Sequence, residues 1–150
     1  MKWLEVKGNI FDKELVPEYY VKAHCIAQDA AMGAGIAPQF VKRNAGLREA
    51  VWSAVPEVGD VVYYKGWNDV VYNMITKKYS HEKPTRLDFN IALANLKREL
   101  LRDNVKHLAI PWIGAGLDRL DWGLTVVVMQ HMFQDTDITI LVVEYDGSDV

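Results

Sequence analysis

The chain has one cysteine, Cys25. That excludes an internal disulfide and any metal site built on cysteine pairs. The four histidines, His24, His81, His107 and His131, form no pair at metal-ligand spacing, so neither a metal nor another cofactor is expected. No apolar run is long enough to cross a bilayer and no signal peptide is recognisable. The expectation is an intracellular, cytoplasmic protein with no membrane partner. Basic charge is not in excess: 17 Lys and Arg stand against 20 Asp and Glu, a net charge of −3. No global field holds nucleic acid without regard to sequence, although a small basic rim around a site stays possible on these numbers. Repeats, linkers and low-complexity stretches are absent, so residues 1–150 read as one domain, expected to be a monomer.

Half of the 150 residues are apolar and a quarter are charged, enough for a substantial core. Alternation predicts a first strand over Met1 to Lys7, and a weakly charged run a second over Tyr19 to Ile26. Ile36 to Val51 has helical spacing, as one or two helices, with Ile36, Phe40, Val41, Leu47 and Val51 inward. Strands follow at Asp60 to Tyr64 and Val70 to Ile75, with Gly66-Trp67-Asn68-Asp69 between them as a hairpin turn. Thr85-x-x-Asp88 reads as a capping box for a helix running to about Arg102. Val105 to Pro111 is a fifth strand, Leu124 to Phe133 the last long helix and Ile138 to Val143 a sixth strand. Helices separate most strands, which predicts an α/β fold: a three-layer α/β/α domain with a mixed central sheet of about six strands. In such folds ligands bind beyond the carboxyl ends of the strands.

Two stretches at predicted strand ends share one pattern. Met32-Gly33-Ala34-Gly35-Ile36 follows the second strand, and Ile113-Gly114-Ala115-Gly116-Leu117 follows the fifth. A strand, a glycine turn and then a helix aims backbone N–H groups at a phosphate, and glycine lets an anion approach the chain closely. Each loop alone is as well explained by a tight turn. Two at neighbouring strand ends suggest a ligand with two phosphates. Asp118 follows the second loop directly, where a carboxylate is unfavourable beside phosphate. Asp121 is better placed to cap the next helix, so Asp118 is left to face another part of the ligand, as a general base. Lys77 ends the fourth strand beside Lys78. Such pairs are usually solvated charges, but a lysine crowded by a second cation can become a nucleophile. His24 and Cys25 read as core residues, Trp112 as a possible pocket wall, and Tyr145 as a base-stacking or surface ring.

These stretches resemble the macrodomains, which are ADP-ribose-binding α/β/α modules. Lys7-Gly8-Asn9-Ile10-Phe11, Ala23-His24-Cys25-Ile26, the Met32 to Ala37 loop, Ile75-Thr76-Lys77-Lys78, Ser80-His81, Lys83-Pro84-Thr85, the Ile113 to Leu120 loop and Trp122 carry the likeness, which spans nearly the whole chain. Thr76-Lys77-Lys78 and Gly114-Ala115-Gly116-Leu117-Asp118 are similar to the class typified by terminal ADP-ribose protein glycohydrolase. The resemblance implies that Lys77 attacks the anomeric carbon of the distal ribose and that Asp118 helps resolve the lysyl adduct. It also implies that the two glycine loops hold the diphosphate, and that Asn9, Ile10 and Tyr145 meet the adenine end. One departure is visible. Macrodomains usually carry aspartate where this chain has Asn9, whose amide oxygen can still accept from the adenine amino group, without the charge.

The implied partner is ADP-ribose or an ADP-ribosylated substrate, protein or DNA. The first reading is an enzyme that hydrolyses mono-ADP-ribose from acidic side chains or from a nucleobase. A second is an ADP-ribose 1''-phosphate phosphatase or an O-acyl-ADP-ribose deacylase. A third is a reader that binds ADP-ribose without cleaving it, which would need neither Lys77 nor Asp118. Lys77, Lys78, His81, Lys83 and Arg86 form a basic cluster, read here as a solvated surface loop rather than a nucleic-acid rim.

Overall fold

A computed structural model describes all residues, Met1 to Val150. Six strands form one sheet: β1 (Lys2–Gly8), β2 (Val21–Ala27), β3 (Val61–Lys65), β4 (Val70–Lys77), β5 (His107–Ile110) and β6 (Thr139–Tyr145). Their order is β1-β6-β5-β2-β4-β3. All neighbours are parallel except β3, which pairs antiparallel with β4 through the hairpin. The hairpin closes with Gly66 N–H donating to the Asp69 carbonyl at 2.9 Å.

Helices cover both faces. On one lie α1 (Ala37–Arg43) and α2 (Leu47–Ser53), with Phe40, Leu47 and Val51 packed on Ile26, Val71, Ile75 and Ala109. On the other lie α3 (Arg86–Arg102) and α4 (Trp122–Phe133), with Phe89, Leu93, Leu96, Met129 and Phe133 packed on Tyr72, Met74, Leu108 and Val142. The domain is therefore the expected three-layer α/β/α sandwich. The apolar periodicity of α3 decides its buried face, and Thr85 fixes its start by accepting from Asp88 N–H at 3.1 Å. No helix is long and apolar enough to cross a membrane.

The α1/α2 layer also buries polar groups. Lys22 pairs with Asp69 at 2.8 Å, and Asn44 donates to the other Asp69 oxygen at 2.9 Å. This cluster ties β2 to α1 and to the hairpin. Satisfied pairs of this kind fix an arrangement more than they add stability.

Candidate active site

The strand order creates the site. β2 and β5 are neighbours, yet the chain leaves β2 for α1 on one face and β5 for α4 on the other. Their exit loops diverge and open a crevice at the carboxyl ends of the strands. The crevice is a cleft of about 830 Å³, inside the ~300–1,000 Å³ range of small-ligand sites. Every candidate residue named from the sequence lies on its wall, from Asn9 and Ile10 through both glycine loops to Lys77, Asp118 and Tyr145.

The first loop (residues 28–36) starts at a register shift between Ile26 and Ala27, which turns the chain out of the sheet. Ala30 and Met32 have φ of 55° and 49°, a left-handed backbone that costs a non-glycine residue roughly 1–2 kcal/mol. The loop is held from outside. Asp29 accepts from Ser80 N–H at 2.9 Å and from the Ser80 hydroxyl at 2.7 Å, and Arg48 donates to the Ala30 carbonyl at 3.0 Å. Burial pushes the Asp29 carboxyl up, but hydrogen bonds from Ser80 and Ala31 outweigh it and hold it below the usual carboxylate value. The N–H groups of Met32, Gly33, Ala34, Gly35 and Ile36 donate to nothing within the protein. At Gly33 a Cβ would meet only open space, and its φ is ordinary. Neither packing nor backbone requires glycine there; what its absent side chain leaves open is the cleft.

The second loop (residues 111–120) is built differently. Gly114 has φ +74°, and a Cβ there would lie 2.7 Å from Phe89 Cε2. Only glycine fits between that turn and the core. Ala115 N–H donates to the Trp112 carbonyl and Leu120 N–H to the Gly114 carbonyl, closing the loop on itself. Gly116–Asp118 forms a single 3-10 turn, with Gly116, Leu117 and Asp118 N–H unused. Asp121, as expected, caps α4 by accepting from Gly123 N–H at 2.9 Å.

Asp118 is thereby free of capping, and it meets Lys77. Lys77 Nζ lies 2.8 Å from Asp118 Oδ1, with both side chains mostly buried. This corrects the idea that Lys78 crowds Lys77. Lys78 lies just past the end of β4 and places its ammonium over the Tyr79 ring, 5.3 Å from its centroid. The immediate partner of Lys77 is a carboxylate. A second correction concerns helix ends. Loop one leads into a helix of only seven residues and loop two into a 3-10 turn, so any phosphate cradle is made by loop amides rather than by a long helix dipole.

His24 is fully buried, tilted against Phe40, with Nε2 2.6 Å from Asn73 Oδ1. The Asn73 amide nitrogen already donates to the Val62 carbonyl, so its oxygen accepts and His24 carries its proton on Nε2. Burial lowers the His24 pKa to about 4, against a smaller opposing effect of that hydrogen bond. It is a neutral core residue. Burial, and next the Asp118 carboxylate, push the Cys25 thiol well up, although Gly114 N–H and Lys77 act the other way. It stays a thiol, inert as a nucleophile. Asn9 Oδ1 accepts from Phe11 N–H at 2.9 Å, and Nδ2 donates to the Ser148 carbonyl at 2.9 Å. Only one lone pair of Oδ1 is left for a ligand. Tyr145, 56% exposed, presents a ring at the cleft edge, and Trp112 stacks on Trp122 at 5.1 Å. Arg86 is not part of a free basic rim: it donates to Thr125 Oγ1 and to the Asp121 carbonyl, joining α3 to α4.

Sequence reasoning missed Gln39 and Glu144 on the cleft wall, and it gave Ser80, His81 and Lys83 no place in the site. Ser80, His81 and Lys83 were signalled by the stretches that carry the macrodomain resemblance; Gln39 and Glu144 had no signal in the sequence.

No family model matches the chain. Human ADP-ribose glycohydrolase OARD1 is 37% identical over 137 residues, which cover 91% of this chain and 88% of that protein. Among solved structures, the macrodomain of Thermus aquaticus DarG superposes with a TM-score of 0.84 at 20% identity, over 95% of this chain and 97% of that one. Thermosipho africanus DarTG in complex with ADP-ribose superposes with a TM-score of 0.79 at 17% identity, over 100% of this chain and 43% of that one. By its identity to OARD1 over most of both chains, and by a fold shared with macrodomains, this chain belongs to the macrodomain family, in the branch that contains OARD1.

Proposed function

We propose that this protein binds ADP-ribose in the cleft and hydrolyses the bond joining its distal ribose to an acidic side chain. One observation carries the reading: Lys77 and Asp118 meet at 2.8 Å in the cleft of a chain 37% identical to an ADP-ribose glycohydrolase. The free amides of the first loop, Gly33 to Ile36, suit the diphosphate, with Gly116 and Leu117 opposite. Tyr145 and Asn9 stand at the end that takes the adenine, Tyr145 by stacking and Asn9 by the free lone pair of its amide oxygen.

The chemistry follows from the ion pair. A lysine attacks only as a neutral amine, so its proton passes first to the Asp118 carboxylate. The Lys77 nitrogen then bonds to the anomeric carbon. The bond from that carbon to the side-chain oxygen breaks, and the carboxylate leaves with the electron pair and the proton that Asp118 held, so Asp118 is ionised again. Water resolves the adduct: Asp118 takes a proton from the water as it adds to the anomeric carbon, the carbon–nitrogen bond breaks, and the amine regains its proton. Lysine, aspartate and water end as they began, and free ADP-ribose is released.

The test is release of ADP-ribose from three substrates, linked through glutamate, through a DNA base and through phosphate at the 1'' position, by wild type and by Lys77→Ala. Cleavage of the glutamate linkage that vanishes in the variant supports the reading. Cleavage of the base linkage alone moves the substrate to nucleic acid. Phosphate release indifferent to Lys77 makes the protein a phosphatase, and tight binding with no turnover makes it a reader.

A further inference from the structure

The β4–α3 connection, residues 78–85, is tied to both glycine loops. At one side Ser80 is held by Asp29 of the first loop, through N–H at 2.9 Å and hydroxyl at 2.7 Å. At the other, the Lys83 ammonium donates to the Leu117 carbonyl, the peptide that leads directly into Asp118. The connection begins directly after Lys77, the last residue of β4, and Ser80, His81 and Lys83 all line the cleft.

The second tie bears on the chemistry. The turn that carries Asp118 is a single 3-10 turn between left-handed residues, Gly116 at φ +65° and Arg119 at φ 58°. No side chain caps it. Two side-chain hydrogen bonds reach it from elsewhere in the fold, and both come from lysines of this stretch: Lys77 to the Asp118 carboxylate and Lys83 to the Leu117 carbonyl. Once Lys77 has given up its proton, the first of these weakens, and Lys83 alone ties the turn to the strand that bears the nucleophile.

We propose that Lys83 is a positioning residue, whose ammonium fixes the Leu117–Asp118 peptide so that the Asp118 carboxylate stays in reach of the Lys77 amine. This rests on the hydrolase reading for its effect on turnover, and on geometry alone for its effect on Lys77. The role differs from direct contact with the phosphates, which would appear in binding rather than in turnover.

The experiment compares wild type, Lys83→Met and Lys83→Arg. Turnover of a glutamate-linked ADP-ribosyl substrate is measured together with the Kd for free ADP-ribose. In parallel, the rate at which acetic anhydride acylates Lys77 at fixed pH is read by peptide mass spectrometry, with Lys78 as internal reference. Lys83→Met is expected to lower kcat by roughly tenfold or more, as small misplacements of catalytic groups do, and to leave the ADP-ribose Kd unchanged. Acylation of Lys77 relative to Lys78 rises as the ion pair loosens, and Lys83→Arg restores both. In an Asp118→Ala background, Lys83→Met changes Lys77 acylation no further. A weaker Kd with kcat and acylation unchanged would make Lys83 a ligand contact and overturn the proposal. So would kcat and acylation both at wild-type values. If wild type releases no ADP-ribose, the hydrolase reading fails, while the acylation rates still decide whether Lys83 holds the pair.

Discussion

The two glycine loops look alike in sequence and are built for different tasks. The first offers five consecutive unused amides, Met32 to Ile36, and Gly33 is glycine where neither backbone nor packing demands it. The second offers three in its turn, folds on itself, and seats Gly114 against Phe89 where nothing larger fits. One loop leaves space for a ligand; the other is anchored to the core and aims Asp118 at Lys77. The same dipeptide spacing serves binding in one place and rigidity in the other. The difference lies in what surrounds each glycine, not in the motif.

The largest expected effect separates the two roles. Lys77→Ala and Asp118→Ala should each lower turnover roughly a hundred- to ten-thousandfold, while the Kd for ADP-ribose stays within a few-fold of wild type. Gly33→Val should do the reverse at the binding step, weakening ADP-ribose by roughly tenfold or more in calorimetry. If Gly33→Val binds normally, the first loop does not hold the ligand.

Next comes a control that belongs to the floor beneath both loops. His24 has a pKa near 4 folded and 6.5 in the unfolded chain. Between those values the unfolded state binds more protons, so stability falls as pH drops from 6.5 towards 4, by about 3 kcal/mol. Denaturant titrations at pH 7 and pH 4.5 read this, and His24→Gln should flatten the dependence over that range. The Asp29 carboxylate, held low by Ser80, has the opposite chemical type and the same direction. Its contribution is present above the ordinary carboxylate value and lost as pH falls through its lower folded value.

Smaller still is the paired glycine test. Gly114→Ala should cost about 1–3 kcal/mol from strain and overlap with Phe89, whereas Gly33→Ala should stay within about 0.5 kcal/mol of wild type. Equal melting temperatures for the two variants would remove the contrast between the loops. Least of all, Asn9→Asp removes the donor to the Ser148 carbonyl. Its expected cost is about 1 kcal/mol or less, with faster amide exchange over residues 146–150.

Much of this was legible in the sequence because it rests on local rules. The period of α3, the Thr85 cap, the Gly66–Asp69 hairpin and the alternating strands follow from propensity and patterning, and their ends moved by a residue or two. That Asp121 caps α4 while Asp118 does not was readable from their order. What was hidden is what depends on packing across the sheet. The spacing of Lys77-Lys78 alone does not say which lysine faces Asp118, a choice that came only from the macrodomain resemblance, and nothing in Lys83 says that its ammonium reaches the carbonyl of residue 117. Gly33 and Gly114 are indistinguishable until Phe89 is seen beneath one of them.

The central claim is that the Lys77 amine forms the bond to ribose that Asp118 helps to break. The most direct measurement is intact and peptide mass spectrometry of Asp118→Ala mixed with a glutamate-linked ADP-ribosyl substrate. The account predicts an ADP-ribose adduct that accumulates on Lys77 and is absent from Lys77→Ala. Full turnover by Lys77→Ala, with no adduct on Asp118→Ala, would contradict it.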